Sequence, residues 1–403
     1  MSGISAKKSS ILRNSKFVAK GNFDVGFLLC VFALLAIGLV MLGSAGYSIA
    51  LHKAKDSYNF IRDQIIFSAI GVTLMFIVSK INYNFFRRLI LPATAFCIVL
   101  LVIALIVAKI KEMQNPDGNE EFGRWIDLPG GIQFQPSEIA KVGLVAFYAW
   151  ACEKWHKFVT ANDFTTALKA GVIFGGIGAV FTILVFLEHH LSGTILFFML
   201  TLAMLYLGGL NKWWFRILIP IVVIVVAIFI INPDFMGIID EYQQERIIAW
   251  KDKTYEPEDA RWQIDNSLYA IGSGGFLGQG LGDSKMKHLY VSEAQSDFIF
   301  AIVCEELGFA GAAFILGLFA FLIYRGYKIA MRCNTRFGML LVLGIMVQVG
   351  LQTVLNVFVV TDFFPNTGIS LPFFSAGGTS LIILLCEMGI VLSVSRSSNM
   401  IKE

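Results

Sequence analysis

The residues best suited to chemistry in this sequence are carboxylates at the junction of a polar stretch and an apolar one. Asp297 lies in the run 296–300, Ser-Asp-Phe-Ile-Phe, where a long polar loop ends and an apolar helix is expected to begin. Glu305 and Glu306 follow inside that apolar stretch. Carboxylates at or below a membrane surface are costly, so they usually mark a functional site. Held at such a boundary, Asp297 could take a proton from a reacting group.

A second polar group lies at the start of an apolar run further upstream. Glu138 and Lys141 are three residues apart, which places them on one face of a helix and predicts an ion pair. Pro136 suits the first turn of that helix, where a missing N–H costs nothing. The pair could be purely structural, or it could line a polar cavity for anions in which Arg124 and Lys141 supply positive charge.

A glycine-dense run at 272–282 precedes Asp297, and three basic side chains follow it, Lys285, Lys287 and His288. No strand is predicted before the run, so a nucleotide-binding loop is excluded. Glycines allow a backbone to approach another group closely. We therefore expect this run to bend around a ligand near Asp297.

The turn expected at 187–194 contains Glu188, His189 and His190. Adjacent histidines point in different directions and no third ligand lies nearby in the sequence, so a zinc site is disfavoured. A tight turn that holds a polar cluster against the cavity is the favoured interpretation.

The elements that must position these residues are membrane-spanning helices. Of the 403 residues, 56% are hydrophobic and only 15% are charged, which is too little charge to cover a soluble protein of this length. Apolar runs of about 18 residues or more identify spans. Ten are predicted, at 25–45, 63–79, 89–108, 134–151, 167–187, 191–208, 215–232, 297–323, 337–359 and 377–394. The fold class is therefore an all-α polytopic membrane protein, and the net charge of +3 gives no indication of nucleic acid.

Charge placement predicts the orientation of the chain. Basic residues are concentrated before the first span, after the second and after the eighth, so the positive-inside rule places both termini in the cytoplasm. We expect a basic N-terminal tail over 1–24, suited to anionic lipids, a single ten-helix domain over 25–394 and a short C-terminal tail over 395–403. The segment 233–296 then forms a large extracellular loop between helices seven and eight.

Two further features are expected on the extracellular side. Within the large loop, the segments 244–250 and 262–270 are predicted to form short amphipathic helices on the outer leaflet. The last loop, 362–380, is long, partly apolar and unsuited to a helix. Irregular backbone at membrane depth is tolerated only where protein or a water-filled cavity surrounds it, which predicts a re-entrant lining.

Four blocks of sequence resemble the SEDS family of bacterial cell-wall polymerases, which comprises FtsW, RodA and SpoVE. The blocks are 124–126 with 134–138 and Lys141, 270–282, 296–300 with 305–308, and 367–369 with 371–380. They occur in the family's order over most of the chain. The segment 280–290 resembles the FtsW and SpoVE branch more than RodA, and the FtsW branch is the favoured assignment.

The resemblance implies a GT-C-like ten-helix architecture and a peptidoglycan glycosyltransferase that polymerises lipid II on the outer face of the cytoplasmic membrane. It implies that Asp297 is the catalytic base and that Arg124, Glu138 and Lys141 line its polar cavity. Further residues expected to bind substrate are Gln135, Ser137, Thr194, Arg246, Lys287, Glu305, Ser375 and Ser380. No cofactor is assigned, and assistance by Mg²⁺ or Mn²⁺ is left open. The implied partners are a class B penicillin-binding protein transpeptidase, divisome components and membrane lipids.

Two other functions stay open at the level of sequence. A flippase that moves lipid II across the bilayer would also need polar residues within its spans. A scaffold that only recruits the transpeptidase would not need the carboxylate of Asp297. Among polymerase roles, division at the septum is favoured over elongation or sporulation.

Overall fold

The computed structural model describes residue 19 and residues 21–55, 57–114, 125–128, 132–232, 241–253 and 260–399. These residues form a bundle of α-helices with one small antiparallel hairpin. Before the hairpin come α1 (Val25–Ala45), α2 (Tyr47–Ala54), α3 (Asn59–Lys80) and α4 (Tyr83–Gln114). The hairpin consists of β1 (Ile126–Leu128) and β2 (Ile132–Phe134). After it come α5 (Pro136–Lys154), α6 (His156–Val159), α7 (Phe164–Leu187), α8 (Leu191–Leu207), α9 (Lys212–Ile231), α10 (Glu241–Lys251), α11 (Ala260–Gly274), α12 (Ile299–Met331), α13 (Arg336–Val360) and α14 (Gly378–Asn399).

Each of the ten predicted spans falls on one of these helices. Within the described ranges, seven helices are long and apolar enough to cross a membrane, namely α1, α3, α4, α7, α12, α13 and α14. The α8 helix is apolar but only 17 residues long. The prediction of an all-α polytopic membrane protein is confirmed, whereas the count of ten spans stays a prediction.

Polar side chains placed just before the helices explain where several of them begin. The Asp24 carboxylate accepts a hydrogen bond from the backbone N–H of Phe27 at 2.8 Å and caps α1. Thr335 caps α13 in the same way. Pro136 occupies the first turn of α5, as its sequence position predicts.

The α13 helix forms the centre of the bundle. It packs against α5, α8 and α12, and 67% of its apolar stretch is buried inside the protein. The corresponding share is 22% in α3 and 28% in α12, so these helices present much of their apolar surface outwards, as helices in contact with lipid do. The interior of α13 also contains the buried amides of Gln348, Gln352 and Asn356.

The α12 helix is broken at Gly308, where φ is 66° and ψ is −171°. The break releases the backbone carbonyls of Glu305 and Glu306 from the helical pattern. Backbone N–H groups of Gln279 and Gly280 donate to these two carbonyls at 2.9 and 3.1 Å. The loop therefore supplies the hydrogen bonds that the broken helix lacks.

The glycines of the 272–282 run are needed for this close contact between two backbones. A side-chain carbon on Gly274 would lie 2.0 Å from the carbonyl oxygen of Cys304. One on Gly278 would lie 2.2 Å from the carbonyl oxygen of Glu306. The expectation that the run bends around a ligand is therefore not met at these positions, where it bends around α12.

The end of the bundle remote from Asp297 is held by a bidentate ion pair. The guanidinium of Arg325 in α12 donates to both carboxylate oxygens of Asp24, with Nε to Oδ1 at 3.0 Å and Nη2 to Oδ2 at 2.6 Å. The backbone N–H of Asp24 donates to Ser395 Oγ in α14 at 3.0 Å. The start of α1 is thereby tied to two other helices.

At the opposite end of the bundle, the observed segments match the sequence-based predictions in part. Helices were predicted at 244–250 and 262–270, and α10 and α11 occupy these positions. Residues 361–377 are non-helical and largely buried, and α14 begins directly after them, as the prediction of a re-entrant segment requires. The short hairpin at 126–134 was not predicted.

Candidate active site

A cavity of about 1250 Å³ lies at the end of the bundle where α5, α8 and α14 begin. It is bounded by the hairpin, the α7–α8 turn, α10 and the irregular segments before α12 and α14. Its polar lining includes Gln133, Gln135, Ser137, Glu138, Lys141, His189, His190, Arg246, Glu293, Gln295, Ser296, Asp297 and Ser380. Asp297 and six of the predicted substrate-binding residues are thus brought to one concave surface, which is the usual form of a binding site.

Asp297 lies in a turn just before α12. Its backbone carbonyl accepts a hydrogen bond from Asn356 Nδ2 of α13 at 2.7 Å, and Ser296 Oγ lies 3.3 Å from Asp297 Oδ1. Gly368 has a φ of 71°, and a side-chain carbon there would lie 3.0 Å from Asp297 Oδ2 and 3.9 Å from Arg246 Nη1. Glycine at 368 therefore allows the Asp297 carboxylate and the Arg246 guanidinium to approach the same piece of backbone.

The segment 361–377 holds the turn that carries Asp297. Ser375 Oγ donates to the carbonyl of Ser296 at 2.7 Å, and the N–H of Ala376 donates to the carbonyl of Gln295 at 2.8 Å. Asn356, which holds Asp297, also donates to the carbonyl of Ile369 at 2.7 Å. These contacts fix the backbone on both sides of the carboxylate, a requirement for a preorganised catalytic group.

The predicted pair of Glu138 and Lys141 is confirmed on the cavity wall. Lys141 Nζ donates to Glu138 Oε1 at 2.8 Å, and the two side chains are 3% and 14% exposed. At the start of the same helix, Ser137 Oγ is buried without a hydrogen-bond partner among the described residues. Such an unsatisfied group on a cavity wall indicates an interaction with water or a ligand.

The α7–α8 turn contributes both of its histidines to the cavity. Gln135 Nε2 lies 3.3 Å from His190 Nδ1, which joins this turn to the start of α5. Glu188 is 1% exposed, and within the described part of the chain neither of its oxygens has a hydrogen-bond partner. Burial therefore raises the pKa of Glu188 to about 8. Of the turn expected at 187–194, residues 188–190 form the turn and 191–194 begin α8; His189 and His190 are the polar side chains that it holds against the cavity.

The α10 helix bridges two sides of the cavity. Gln243 Nε2 donates to the carbonyl of His189 in the α7–α8 turn at 2.9 Å. On the other side, Arg246 Nη1 donates to the carbonyl of Asn366 at 3.2 Å and Trp250 Nε1 to the carbonyl of Asp362 at 3.1 Å. Arg246 is in this way held near Gly368, beside which the carboxylate of Asp297 also lies.

Lys287 does not line the cavity, although it was predicted to bind substrate. It is 4% exposed, and its Nζ lies 3.0 Å from Glu306 Oε1 and 3.0 Å from Ser44 Oγ. The ammonium group joins the loop 275–298 to α12 and α1. Sequence reasoning missed the contact with α1 because Ser44 is 243 residues from Lys287 in the chain.

Glu305 also lies away from the cavity and shares no wall with Asp297. It is fully buried and accepts hydrogen bonds from Ser284 Oγ at 2.5 Å and the N–H of Lys285 at 2.9 Å. Asp297 precedes the first turn of α12 and is not a helical residue, so the angle expected between the two along one helix does not apply. The carboxylate of Glu305 holds the loop that follows the glycine run.

Two other predicted residues, Thr194 and Ser375, do not line the cavity. Thr194 Oγ1 donates to the carbonyl of His190 at 2.9 Å and braces the first turn of α8. Ser375 lines a smaller neighbouring cavity and holds the Asp297 turn. Arg124 lies outside the described residues.

Several residues of the site were not identified from the sequence. Gln133 reaches the cavity because its strand pairs in the hairpin, and its carbonyl accepts a hydrogen bond from Thr379 Oγ1 at 3.0 Å. Glu293 and Gln295 lie within four residues of Asp297, and that proximity was the signal that could have identified them. In the described portion of the chain, no group of three His, Cys, Asp or Glu side chains is arranged to hold a metal ion.

Comparison of the sequence with known families and proteins gives consistent matches. Residues 25–400 match the model of the FtsW, RodA and SpoVE family, described as "Cell cycle protein". The chain is 34% identical over 378 residues to a probable peptidoglycan glycosyltransferase FtsW of Trichlorobacter lovleyi, and the match covers 93% of each protein. It is 34% identical over 379 residues to stage V sporulation protein E of Bacillus subtilis, covering 93% of this chain and 97% of that protein.

Solved structures have the same fold. One, reported as "Structural coordination of polymerization and crosslinking by a peptidoglycan synthase complex", gives a TM-score of 0.72 at 24% identity and covers 94% of this chain and 99% of that chain. The crystal structure of the rod shape determining protein RodA of Thermus thermophilus gives a TM-score of 0.64 at 24% identity, covering 93% and 97%. The structural matches show the fold alone, whereas the sequence matches show the family.

Proposed function

This chain belongs to the FtsW, RodA and SpoVE family of cell cycle proteins, and we propose that it polymerises lipid II into glycan strands with Asp297 as the catalytic base. The observation that supports this most directly is the carboxylate of Asp297 on the wall of a 1250 Å³ cavity beside Arg246. The similarity to a probable peptidoglycan glycosyltransferase supplies the class of substrate.

In the proposed reaction, Asp297 takes the proton from the hydroxyl of the acceptor sugar. The hydroxyl oxygen then forms the new glycosidic bond to the donor sugar, and the bond between that sugar and the lipid diphosphate breaks. The electron pair of the broken bond leaves with the diphosphate. A positioned base contributes about 10²- to 10⁴-fold to such a step.

The cations of the cavity would stabilise the departing diphosphate. Arg246 and Lys141 both line the cavity, and they enter it from different elements, α10 and α5. Positive charge fixed in advance where negative charge develops lowers the barrier without reorganisation. Phe60, Ile66 and Phe67 of α3 form an apolar side of the same cavity, where the polyprenyl chain of a lipid substrate could lie.

The proposed orientation places this cavity at the outer face of the cytoplasmic membrane, with both termini in the cytoplasm. The charge distribution of the polar segments supports it. We further propose a class B penicillin-binding protein as partner, since one structural relative is described as coordinating polymerisation with crosslinking. A role at the division septum with the divisome follows from the similarity to the FtsW protein.

The proposal can be tested with the purified full-length protein, its transpeptidase partner and lipid II. We expect Asp297→Asn, which keeps the shape of the side chain, to lower glycan synthesis by about 100-fold or more. Asp283→Asn is the matched control, since Asp283 is exposed in the same loop but does not line the cavity. Polymerisation unchanged in a folded Asp297→Asn protein would contradict the proposal. Lipid scrambling without polymer, unaffected by the substitution, would identify a flippase.

A further inference from the structure

A second, much smaller cavity lies behind the wall of the first. It measures about 30 Å³ and lies between α5, α13, α14 and the end of the 361–377 segment. Most of its walls are polar, and they include Glu138, Gln348, Gln352, Ser375, Ser380 and Glu387. A cavity of this size and polarity holds about one or two water molecules. We call it the Glu387 chamber.

The carboxyl group of Glu387 is only partly hydrogen-bonded in this chamber. It belongs to α14 and is 1% exposed. Gln348 Nε2 donates to Glu387 Oε1 at 2.8 Å, but Glu387 Oε2 has no hydrogen-bond partner among the described residues. The amide oxygen of Gln348 is likewise buried and unsatisfied within those ranges. Two buried acceptors that face one polar cavity require a donor between them.

The charged groups near Glu387 do not supply its carboxylate with a cation of its own. The charged groups whose fields reach it are Lys141 and Glu138, both from α5. Lys141 is already paired with Glu138 at 2.8 Å, so this pair is neutral as a unit. The α13 helix contributes the uncharged Gln348 and Gln352, and Cys386 is the neighbouring thiol on α14. The α3 and α12 helices, which also pack on α14, present no charged group to Glu387 in the described part of the chain.

An ionised Glu387 would thus be a negative charge that Lys141, already paired with Glu138, compensates only in part, and such a charge is unfavourable in the interior of a membrane protein. A proton on Oε2 removes that charge. It also supplies the missing donor, because a protonated carboxyl can donate to a water that in turn donates to Gln348. One proton therefore accounts for both the charge and the unsatisfied acceptors.

We propose that Glu387 is a proton-binding site that retains its proton at neutral pH and shares it, through a water in the Glu387 chamber, with the Glu138–Lys141 pair. Glu138 lines both this chamber and the main cavity. A proton that leaves Glu387 Oε2 passes through the water to the Glu138 carboxylate, so that Glu387 becomes ionised and Glu138 neutral. The transfer conserves charge and gives the main cavity access to a proton held within the bundle.

Infrared spectroscopy of the purified full-length protein tests the site without any assay of polymerisation. We expect a carbonyl-stretch band of a protonated carboxyl group at neutral pH, which shifts in D₂O and is lost in Glu387→Gln. Glu153→Gln is the matched control, because Glu153 is ion-paired with Arg87 at 2.8 Å and should contribute no such band. The spectra are compared in a Glu188→Gln background, since Glu188 would add a protonated carboxyl of its own.

Two results would overturn the proposal. One is a spectrum in which Glu387→Gln removes no protonated-carboxyl band while the thermal unfolding midpoint shows that the variant is folded. The other is a band that appears only when sodium is replaced by choline, since a metal cation would then occupy the chamber. Glu387→Asp serves as a second variant, which should keep a shifted band if Glu387→Gln does not fold.

The coupling to Glu138 has its own measurement. The double variant Glu138→Gln with Lys141→Met keeps this pair neutral and should shift the frequency of the Glu387 band, because the partner of Glu387 through the water has changed; an unchanged frequency would contradict the shared proton. The link to turnover rests on the proposed function and predicts a displaced pH profile of polymerisation in Glu387→Gln. If polymerisation is absent from the wild type but the band is present, the proposed function fails and the proton site stands.

Discussion

Asp297 owes its position to groups that come from distant parts of the chain. Asn356 holds its carbonyl, Ser375 holds the preceding carbonyl, and glycine at 368 leaves room for its carboxylate. Loss of one of these contacts should therefore displace the carboxylate and lower activity with little effect on the rest of the bundle.

Lys141→Ala should be harmful because it leaves Glu138 without its cation. Breaking a buried ion pair from one side costs about 3 kcal/mol or more, so we expect a lower thermal unfolding midpoint and loss of polymerisation. The control is the double variant Glu138→Gln with Lys141→Met, which removes both charges and should recover most of the stability but not the activity. Wild-type stability and turnover in Lys141→Ala would show that the pair contributes nothing.

Glu188 predicts a pH dependence of stability. Its pKa rises from 4.5 to about 8 because it is buried, so the folded protein binds the proton more tightly than the unfolded chain. The resulting stability is fully present below about pH 4.5, declines as the pH rises and is lost above about pH 8.

The variant Glu188→Gln removes this titration and isolates its effect. We expect its unfolding midpoint to exceed that of the wild type by several degrees at about pH 9 and to equal it at about pH 5. The midpoints are measured by thermal unfolding in detergent at both values of pH. A difference that is the same at both would assign the effect to packing instead of ionisation.

At the scale of elements, the broken α12 helix and the glycine run stabilise each other through their backbones. Two carbonyls freed at Gly308 are satisfied by the loop, and the side chains of Glu305 and Glu306 hold the residues that follow. The loop 275–298 and α12 therefore form one unit. Asp297 lies near the end of this loop, just before α12 begins.

Two glycines of α11 offer a sharp test of this unit. Gly274→Ala would place a carbon 2.0 Å from the carbonyl oxygen of Cys304, whereas Gly272→Ala meets nothing within 4 Å. We expect Gly274→Ala to lose about 2 kcal/mol or more of stability, because the added carbon would overpack against a backbone that cannot move away. The variant should also expose the loop 275–298 to proteolysis. Gly272→Ala should be neutral or slightly stabilising. Equal behaviour of the two variants would contradict the role of close approach.

The sequence alone was sufficient to predict long apolar helices and contacts between residues that are close together in the chain. The spans follow from apolar length, and the Glu138–Lys141 pair follows from helical spacing. The hairpin was missed because its strands have only three residues each, too few for a periodic signal. The positions of Lys287 and Glu305 were misjudged because the loop after the glycine run folds back onto the first turns of α12, a contact that helical spacing does not predict. Glu387 was not identified, although an acid inside the predicted span 377–394 was a signal, because the sequence does not reveal which face of the helix it occupies.

For the whole molecule, the remote ion pair of Asp24 and Arg325 lies at one end of the bundle and the cavity at the other. The helices between them present apolar surface outwards. This division gives the bundle two chemically distinct ends, and the proposed orientation assigns one end to each side of the membrane.

Cysteine labelling in a background without native cysteines tests that orientation. Tyr290 and Met331 are 49% and 57% exposed and lie before and at the end of α12. We expect Tyr290→Cys to react with a membrane-impermeant reagent added outside the cell, and Met331→Cys to react only after the membrane is opened. The reverse pattern would place the cavity on the cytoplasmic side and contradict polymerisation at the outer face.

The bridge that α10 makes across the cavity has a consequence for inhibition. Its hydrogen bonds to His189 on one side and Asn366 on the other hold α10 across the cavity. Residues of α3 form an apolar side of the same cavity, called here the apolar flank. We expect α10 to hinder the approach of a bulky water-soluble compound to Asp297. An amphiphile already dissolved in the bilayer would approach along the apolar flank, so partitioning into lipid should govern potency as strongly as affinity for the site.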